Sequence, residues 1–320
     1  MDVANRVAVV TGGASGIGRE LCLALASRGA AGVVVADVDA QGSVAVAQTI
    51  RSLGQKAVAV TADVSREPDV QGLVSRAEEA FGRIDLFCSN AGIIVAGGVE
   101  VPDAAWSRIW AVNVQSHVYV ARAVLPGMLA RGEGYLVITA SAAGLLTQLG
   151  SVPYAVTKHA AVALAEWLAI TYGDQGIGVS CLCPQAVTTN LGATSQRELA
   201  GGTRGSPPRT DTATRGDAWI EERGTSDEGR HHPEARRPPG GIGGSPPRTD
   251  TVGSVSLQAA LDGVLTPDQV AVSVIDGLAA ERFLILPHPE VATYERRRAE
   301  DRDRWLGGMR RLQARLAEKS

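Results

Sequence analysis

The chain has 320 residues, 45% hydrophobic and 20% charged, which is apolar enough for a sizeable core. With 31 basic against 34 acidic residues its formal net charge is −3, which removes any reason to expect nucleic acid or an anionic membrane as partner. No apolar run approaches the roughly 20 residues that span a bilayer. The opening MDVANRVAVVTGG also lacks the regions of a secretory leader, so a cytoplasmic, reducing location is expected.

In chain order, short apolar β-branched runs alternate with longer helix-like segments. RVAVVTGG precedes a helical stretch from Gly16 to Arg28, and GVVVADV precedes one over Gln41–Leu53. KAVAVTADV comes next, then a helix over Asp69–Phe81 and the strand-and-turn IDLFCSNAG. Ala104–Arg131 reads as one helix, YLVITAS as a strand, Pro153–Tyr172 as a helix and GVSCLCP as a strand. Pro267–Ala280 is a further helix and RFLILP the last strand. Strands that are apolar throughout predict burial on both faces, hence a parallel sheet with helices on each side. The expected fold is a single doubly wound α/β domain of the Rossmann type over residues 1–320, with a parallel sheet of about seven strands.

Two segments stand apart. Residues 196–253 are rich in Gly, Pro, Arg, Asp and Thr, and too poor in aliphatics to offset the entropy of ordering, so a disordered loop is expected. Within it GSPPRTDT occurs twice, at Gly205–Thr212 and Gly244–Thr251. This reads as an insertion, Ala213–Thr251, that carried a second copy of its flank. Trp219 and His231-His232 inside it are read as incidental. Residues 293–319 are read as a charged C-terminal helix, with Trp305, Leu306, Met309, Leu312 and Leu316 on one side, docked on the domain or on a partner subunit. Cys181 and Cys183 alternate along a strand and should pack on one face. No other ligands lie at metal spacing, and no metal is expected.

TGGASGIG, Thr11–Gly18, lies between the first strand and the first helix. Gly12, Gly16 and Gly18 there would let backbone approach a pyrophosphate at a helix N-terminus, with Ser15 and Ile17 between them. Asp37 ends the second strand, where a carboxylate can accept from a ribose diol and would repel a 2′-phosphate. NAD is therefore preferred over NADP. In YAVTK, Tyr154 and Lys158 stand at i and i+4 on one helix face, about 6 Å apart along the axis. A neighbouring ammonium would favour the phenolate, so the pair suits proton exchange. Either motif alone has bland alternatives, a tight turn or an incidental surface pair.

Together, TGGASGIG, Asp63-Val64, Asn90–Gly92, Asn113-Val114, Ser141 and YAVTK occur in the order and spacing of the short-chain dehydrogenase/reductase family. The chain resembles that family from Asn5 to about Leu191 and again from Gly253 to Pro287. The resemblance implies an NAD-dependent oxidoreductase acting on a secondary alcohol or ketone. Tyr154 would be its general acid/base, Ser141 would polarise the substrate oxygen, Lys158 would hold the nicotinamide ribose, and Asn113 would hold a proton-relaying water. It also implies that Asp63 and Val64 contact the adenine, that Asn90, Ala91 and Gly92 steady the sheet beside the cofactor, and that Pro184, Val187 and Thr189 meet the nicotinamide. Where many members have Pro-Gly, this chain has Pro184-Gln185, which places a side chain at the pocket rim. Leu145, Leu146 and Leu149, between Ser141 and Tyr154, are expected to line an apolar substrate pocket with Gln185. A homotetramer or homodimer through the 104–131 and 153–172 helices is expected by the same likeness. The contrasting reading is a catalytically silent dinucleotide sensor or assembly subunit, which an intact Ser141, Tyr154, Lys158 and Asn113 argue against.

Overall fold

A computed structural model of the chain describes residues 1–189, 191–192, 195 and 262–317. The repeated octapeptide, the 213–251 insertion, Trp219 and His231-His232 lie outside the described residues.

The strands are β1 (Val7–Thr11), β2 (Gly32–Asp37), β3 (Ala57–Thr61), β4 (Leu86–Ser89), β5 (Gly134–Thr139), β6 (Ile177–Leu182) and β7 (Leu284–Ile285). They form one seven-stranded sheet in the order β3-β2-β1-β4-β5-β6-β7, with every pairing parallel. The doubly wound α/β architecture read from the sequence is therefore the observed one. Between them run α1 (Gly16–Ser27), α2 (Ala40–Ser52), α3 (Glu67–Phe81), α4 (Asp103–Trp110), α5 (Ser116–Arg131), α6 (Ala142–Leu145), α7 (Val152–Tyr172) and α8 (Pro267–Ala279). The C-terminal pair is α9 (Glu290–Glu300) and α10 (Arg302–Ala317).

Alternation along each strand divides the core in two. Ala8, Val10, Val33 and Val35 face α1, α2 and α8, whereas Val9 and Val34 face α3, α5 and α7. The strand order reverses between β1 and β4. In such sheets ligands bind in the crevice at the carboxyl ends of the strands flanking that reversal.

Two helical expectations need correction. The predicted 104–131 helix is α4 and α5 joined by a π-helical turn at Ala111–Gln115, so one extra residue sits in the rod and carries Asn113 into the interior. The predicted C-terminal helix over 293–319 is two helices, broken at Asp301, whose extended backbone (φ −146°, ψ 92°) ends α9. The Asp301 carboxylate then accepts from the Arg304 backbone N–H at the start of α10, as an N-terminal cap does.

Glycines set how closely the layers approach. At Gly178 in β6 a Cβ would stand 2.3 Å from the ring of Tyr135, its neighbour across β5, and that ring is pinned by a Tyr135–Ser180 hydroxyl contact of 2.9 Å. Gly72, exposed within α3, has nothing within 4 Å of such a Cβ. Denaturant unfolding should therefore show Gly178→Val destabilising by about 1–3 kcal/mol. Gly72→Ala should stabilise by about 0.5–1 kcal/mol.

Candidate active site

The glycine loop between β1 and α1 fits a dinucleotide. Gly12 and Gly16 have φ of +68° and +53°, a region that favours glycine, and a Cβ on Gly18 would lie 2.1 Å from the Gly12 carbonyl oxygen. Ser15, at the N-cap of α1, makes no side-chain cap, and the first turn of α1 carries no acidic residue. By contrast, Asp39 caps α2, accepting from the Gln41 and Gly42 N–H groups at 3.1 and 3.0 Å. The α1 terminus thus keeps backbone donors and a partial positive charge for a pyrophosphate. Ile17 packs on the core behind it, and the Thr189 side chain lies across it, next to Gly16. Val187 is held near by a parallel bridge to Leu265.

Asp37, at the end of β2, accepts from the Ala14 N–H at 3.0 Å and the Asp39 N–H at 2.9 Å, so it shapes the glycine loop it flanks. Asp63 is more heavily engaged. Burial raises its carboxyl, but bonds from the Ser65 hydroxyl and N–H at 2.6 and 3.0 Å and the ion pair with Arg108 at 3.3 Å outweigh this and hold it below the usual range. Val64 beside it is buried.

Asn90 joins three strands. Its N–H donates to Thr11 Oγ1 at 2.9 Å, its Nδ2 donates to the Thr11 carbonyl at 3.0 Å, and its Oδ1 accepts from Thr139 Oγ1 at 3.2 Å. The Ala91 N–H shares Thr11 Oγ1 at 3.1 Å. A Cβ on Gly92 would lie 3.4 Å from both Asn113 Oδ1 and Lys158 Nζ, so the missing side chain lets those two groups come near the turn. Asn113 is fully buried; its Oδ1 accepts from the Ile93 N–H at 2.8 Å and its Nδ2 donates to the Ile93 carbonyl at 2.9 Å. The next N–H along, that of Ile94, donates to Ser195 Oγ at 2.9 Å.

Ser141 caps α6, accepting from the Ala143 N–H at 3.1 Å, and donates to the Pro184 carbonyl at 3.4 Å. Lys158, buried, donates from Nζ to the Thr139 carbonyl at 2.8 Å and lies 5.6 Å from the centroid of the Tyr154 ring. The structure thus brings Ser141, Tyr154, Lys158 and Asn113 together beside the glycine cradle, at the carboxyl ends of β4 and β5. Burial pushes the Lys158 ammonium down to about 8. Burial raises Tyr154 above its usual value, the Ser141 hydroxyl opposes that only in part, and the lysine's bond is spent on Thr139.

The expected apolar pocket divides. Leu145 is buried in the core, while Leu146 and Leu149 line a cavity of about 960 Å³ between α7 and the C-terminal helices. That cavity is also lined by Val152, Val156 and His159 on one side and by Trp305 and Met309 on the other. Ser141 and Tyr154 are not among its described lining. Helical spacing explains the split, since Val152, Val156 and His159 project from the side of α7 turned away from Tyr154 and Lys158. Gln185 does stand beside Ser141, through Pro184. Cys181 and Cys183 are buried with sulfurs 3.7 Å apart.

Sequence reading missed Thr11 and Thr139, polar residues at the ends of apolar strands, and that position was the available signal. It also missed His117, buried one turn beyond Asn113 with Nδ1 at 2.6 Å from Ser89 Oγ.

A family profile described as short chain dehydrogenase matches residues 6–200. A 3beta-hydroxysteroid dehydrogenase 2 of Eggerthella lenta is 36% identical over 66% of this chain and 84% of its own. A 1-deoxy-11-beta-hydroxypentalenate dehydrogenase of Streptomyces exfoliatus is 40% identical over 63% of this chain and 76% of its own. A solved short chain dehydrogenase/reductase of Burkholderia phymatum in complex with NAD superposes with a TM-score of 0.74 at 30% identity, covering 95% of this chain and 96% of that one. The chain belongs to the short-chain dehydrogenase family.

Burial, aided by the nearby Lys158 charge, depresses the His117 imidazole from 6.5 to about 3. Between those values an unfolded chain binds a proton that the folded protein refuses, so stability falls as pH drops through this window and is unaffected above it. Relative to His117→Leu, the native protein should lose about 2–3 kcal/mol more between neutral pH and about pH 4.5, measured by urea unfolding.

Proposed function

We propose that this protein is an NAD-preferring dehydrogenase acting on a secondary alcohol, or on the corresponding ketone, of apolar body. The observation that carries the reading is the convergence of Ser141, Tyr154, Lys158 and Asn113 beside a glycine cradle whose helix end is left uncapped. The named activities of the similar dehydrogenases and the NAD complex of the similar structure support it.

The residues of the glycine loop and Thr189 would hold the dinucleotide and Asp37 would meet its ribose diol; a nicotinamide held there would supply the hydride chemistry. Ser141 Oγ holds the substrate oxygen, and the Tyr154 hydroxyl exchanges its proton with that oxygen. Lys158 orders the ribose side of the site, and its charge favours phenolate when the tyrosine gives up its proton. Asn113 fixes the Ile93 backbone through both atoms of its side-chain amide. The exposed side chains Trp110 on α4 and Trp167 and Ile170 on α7 support self-association through these helices into a homodimer or homotetramer. Among the described residues no helix is long and apolar enough to cross a membrane.

The test is reduction of NAD by a panel of secondary alcohols from small aliphatic to steroid-sized. Tyr154→Phe should lower kcat by about 100-fold or more with NADH affinity preserved, because it removes only the exchanging hydroxyl. Retained turnover in that variant would refute the assigned role. Asp37→Ala should shift the ratio of kcat/KM for NAD over NADP by about tenfold toward NADP, by withdrawing a charge that repels the 2′-phosphate. An unchanged ratio would place cofactor choice elsewhere.

A further inference from the structure

The cavity of about 960 Å³ between α7 and the C-terminal helices is of a size that holds a small molecule, and Ser141 and Tyr154 are not among its described lining. Leu146, Leu149, Val152 and Val156 form one wall, and Trp305 and Met309 form the other. Cationic side chains gather in the same lining. Arg298, Arg302 and Arg310 stand there against a single carboxylate, that of Asp303.

Arg298 is held in place. It is half-buried, its Nη1 donates to the Leu145 carbonyl, and its Nη2 meets His159 Nε2 at 3.4 Å. The Ala155 carbonyl only accepts, so His159 Nδ1 donates to it, at 2.8 Å, and Nε2 is the acceptor of the ring. Both contacts of Arg298 are thus with neutral groups, and a guanidinium carries more N–H groups than these two bonds use. Among the described residues none of the three arginines has an ion-pair partner. Burial, and then the charge of Arg302, pull the Arg298 guanidinium below its usual value, with Glu295 opposing in part. A half-buried cation with neutral neighbours, beside an apolar cavity, is completed by an anion that has an apolar body.

We propose that this cavity binds an amphipathic anion, a carboxylate on an apolar chain or ring system, with the carboxylate on Arg298 and the body between α7 and α10. The inference goes beyond the dehydrogenase reading and does not depend on it. A neutral apolar molecule would fill the space but leave the guanidinium without a counter-charge, and a cation would be repelled. A second copy of the chain fits less well, because a two-fold pairing of these cavities would set arginine against arginine. The carboxylate would accept charge-assisted bonds from the unused N–H groups of Arg298, while Arg302 and Arg310, exposed on α10, add attraction.

The experiment titrates the full chain with decanoate, methyl decanoate and decylammonium by calorimetry, without cofactor, so that no turnover intervenes. Decanoate should bind once per chain, about tenfold more tightly than the ester or better, and the ammonium should not compete with it. Arg298→Gln should weaken decanoate by about tenfold or more, with its urea unfolding transition as the check of fold. Arg302→Gln, an exposed change that spares the Leu145 and His159 contacts, should weaken it by about threefold and decides the matter if Arg298→Gln does not fold. Amide hydrogen exchange should slow on binding at residues 146–156 and 302–313. Equal affinity for decanoate and its ester, or for decanoate in the native chain and a folded Arg298→Gln, overturns the proposal. Protection confined to other residues also overturns it, by placing the anion elsewhere. So does no binding of decanoate, and if Leu306→Glu then turns a dimer into a monomer, the occupant is a second copy.

Discussion

A chain of hydrogen bonds running from Thr11 through Asn90 and Thr139 to Lys158 crosses the carboxyl ends of β1, β4 and β5, and both halves of the site hang from it. On one side it sets where β1 stops and the glycine loop begins. On the other it holds the ammonium that faces Tyr154. Parallel strands diverge at their carboxyl ends as the sheet twists, which opens the crevice and also leaves it in need of a tie. A single asparagine side chain, with one donor group and one acceptor, is enough to span the reversal point. The backbone approach at Gly18 depends on the same tie, because a Cβ there would also meet Asn90 Nδ2, at 2.7 Å.

The electrostatics of the pair on α7 follow from burial more than from proximity. Lys158 sits in a buried layer where its charge is costly, and its Nζ donates to a neutral carbonyl rather than to a carboxylate, so its affinity for a proton falls. Tyr154, under the same burial, holds its proton more tightly. The two shifts move the groups apart on the pH scale, so the lysine loses its proton before the phenol does. For the phenol to exchange its proton near neutral pH, further positive charge would have to reach it when the site is filled. His117 adds a third buried group, kept neutral partly by the lysine, so that layer carries a single formal charge.

Much of the fold was legible because its signals are local. Seven apolar runs of β-branched residues can be buried only between helices, and each is followed by a segment long enough to cross back. The glycine loop, Asp37, Ser141 and the Tyr154–Lys158 spacing were legible for the same reason, since each lies at a strand end or on one helix face. What escaped depends on contacts distant in sequence. The Gln185 amide meets Asp262 and its backbone meets His288, 77 and 103 positions away, and nothing near residue 185 announces either. Leu146 and Leu149 were misplaced because closeness to Ser141 in sequence says nothing about which side of α7 the loop between them passes. The break at Asp301 was hidden because the residues on both sides are equally good helix formers.

The π-helical turn at Ala111–Gln115 changes how the rod that contains it can be phased. Upstream, α4 lies against α7; downstream, α5 lies against α3, with Val120, Val124 and Met128 turned inward. A regular helix rotates by about 100° per residue, so one surplus residue lets a single rod serve two neighbours that no uninterrupted stripe could reach. Loss of one residue at the seam would straighten the rod and swing that inward face away from α3. It would also withdraw Asn113 from the Ile93 backbone. The geometry of the site and the packing of a helix three turns further on are therefore inherited as one unit, and neither can drift in length without the other.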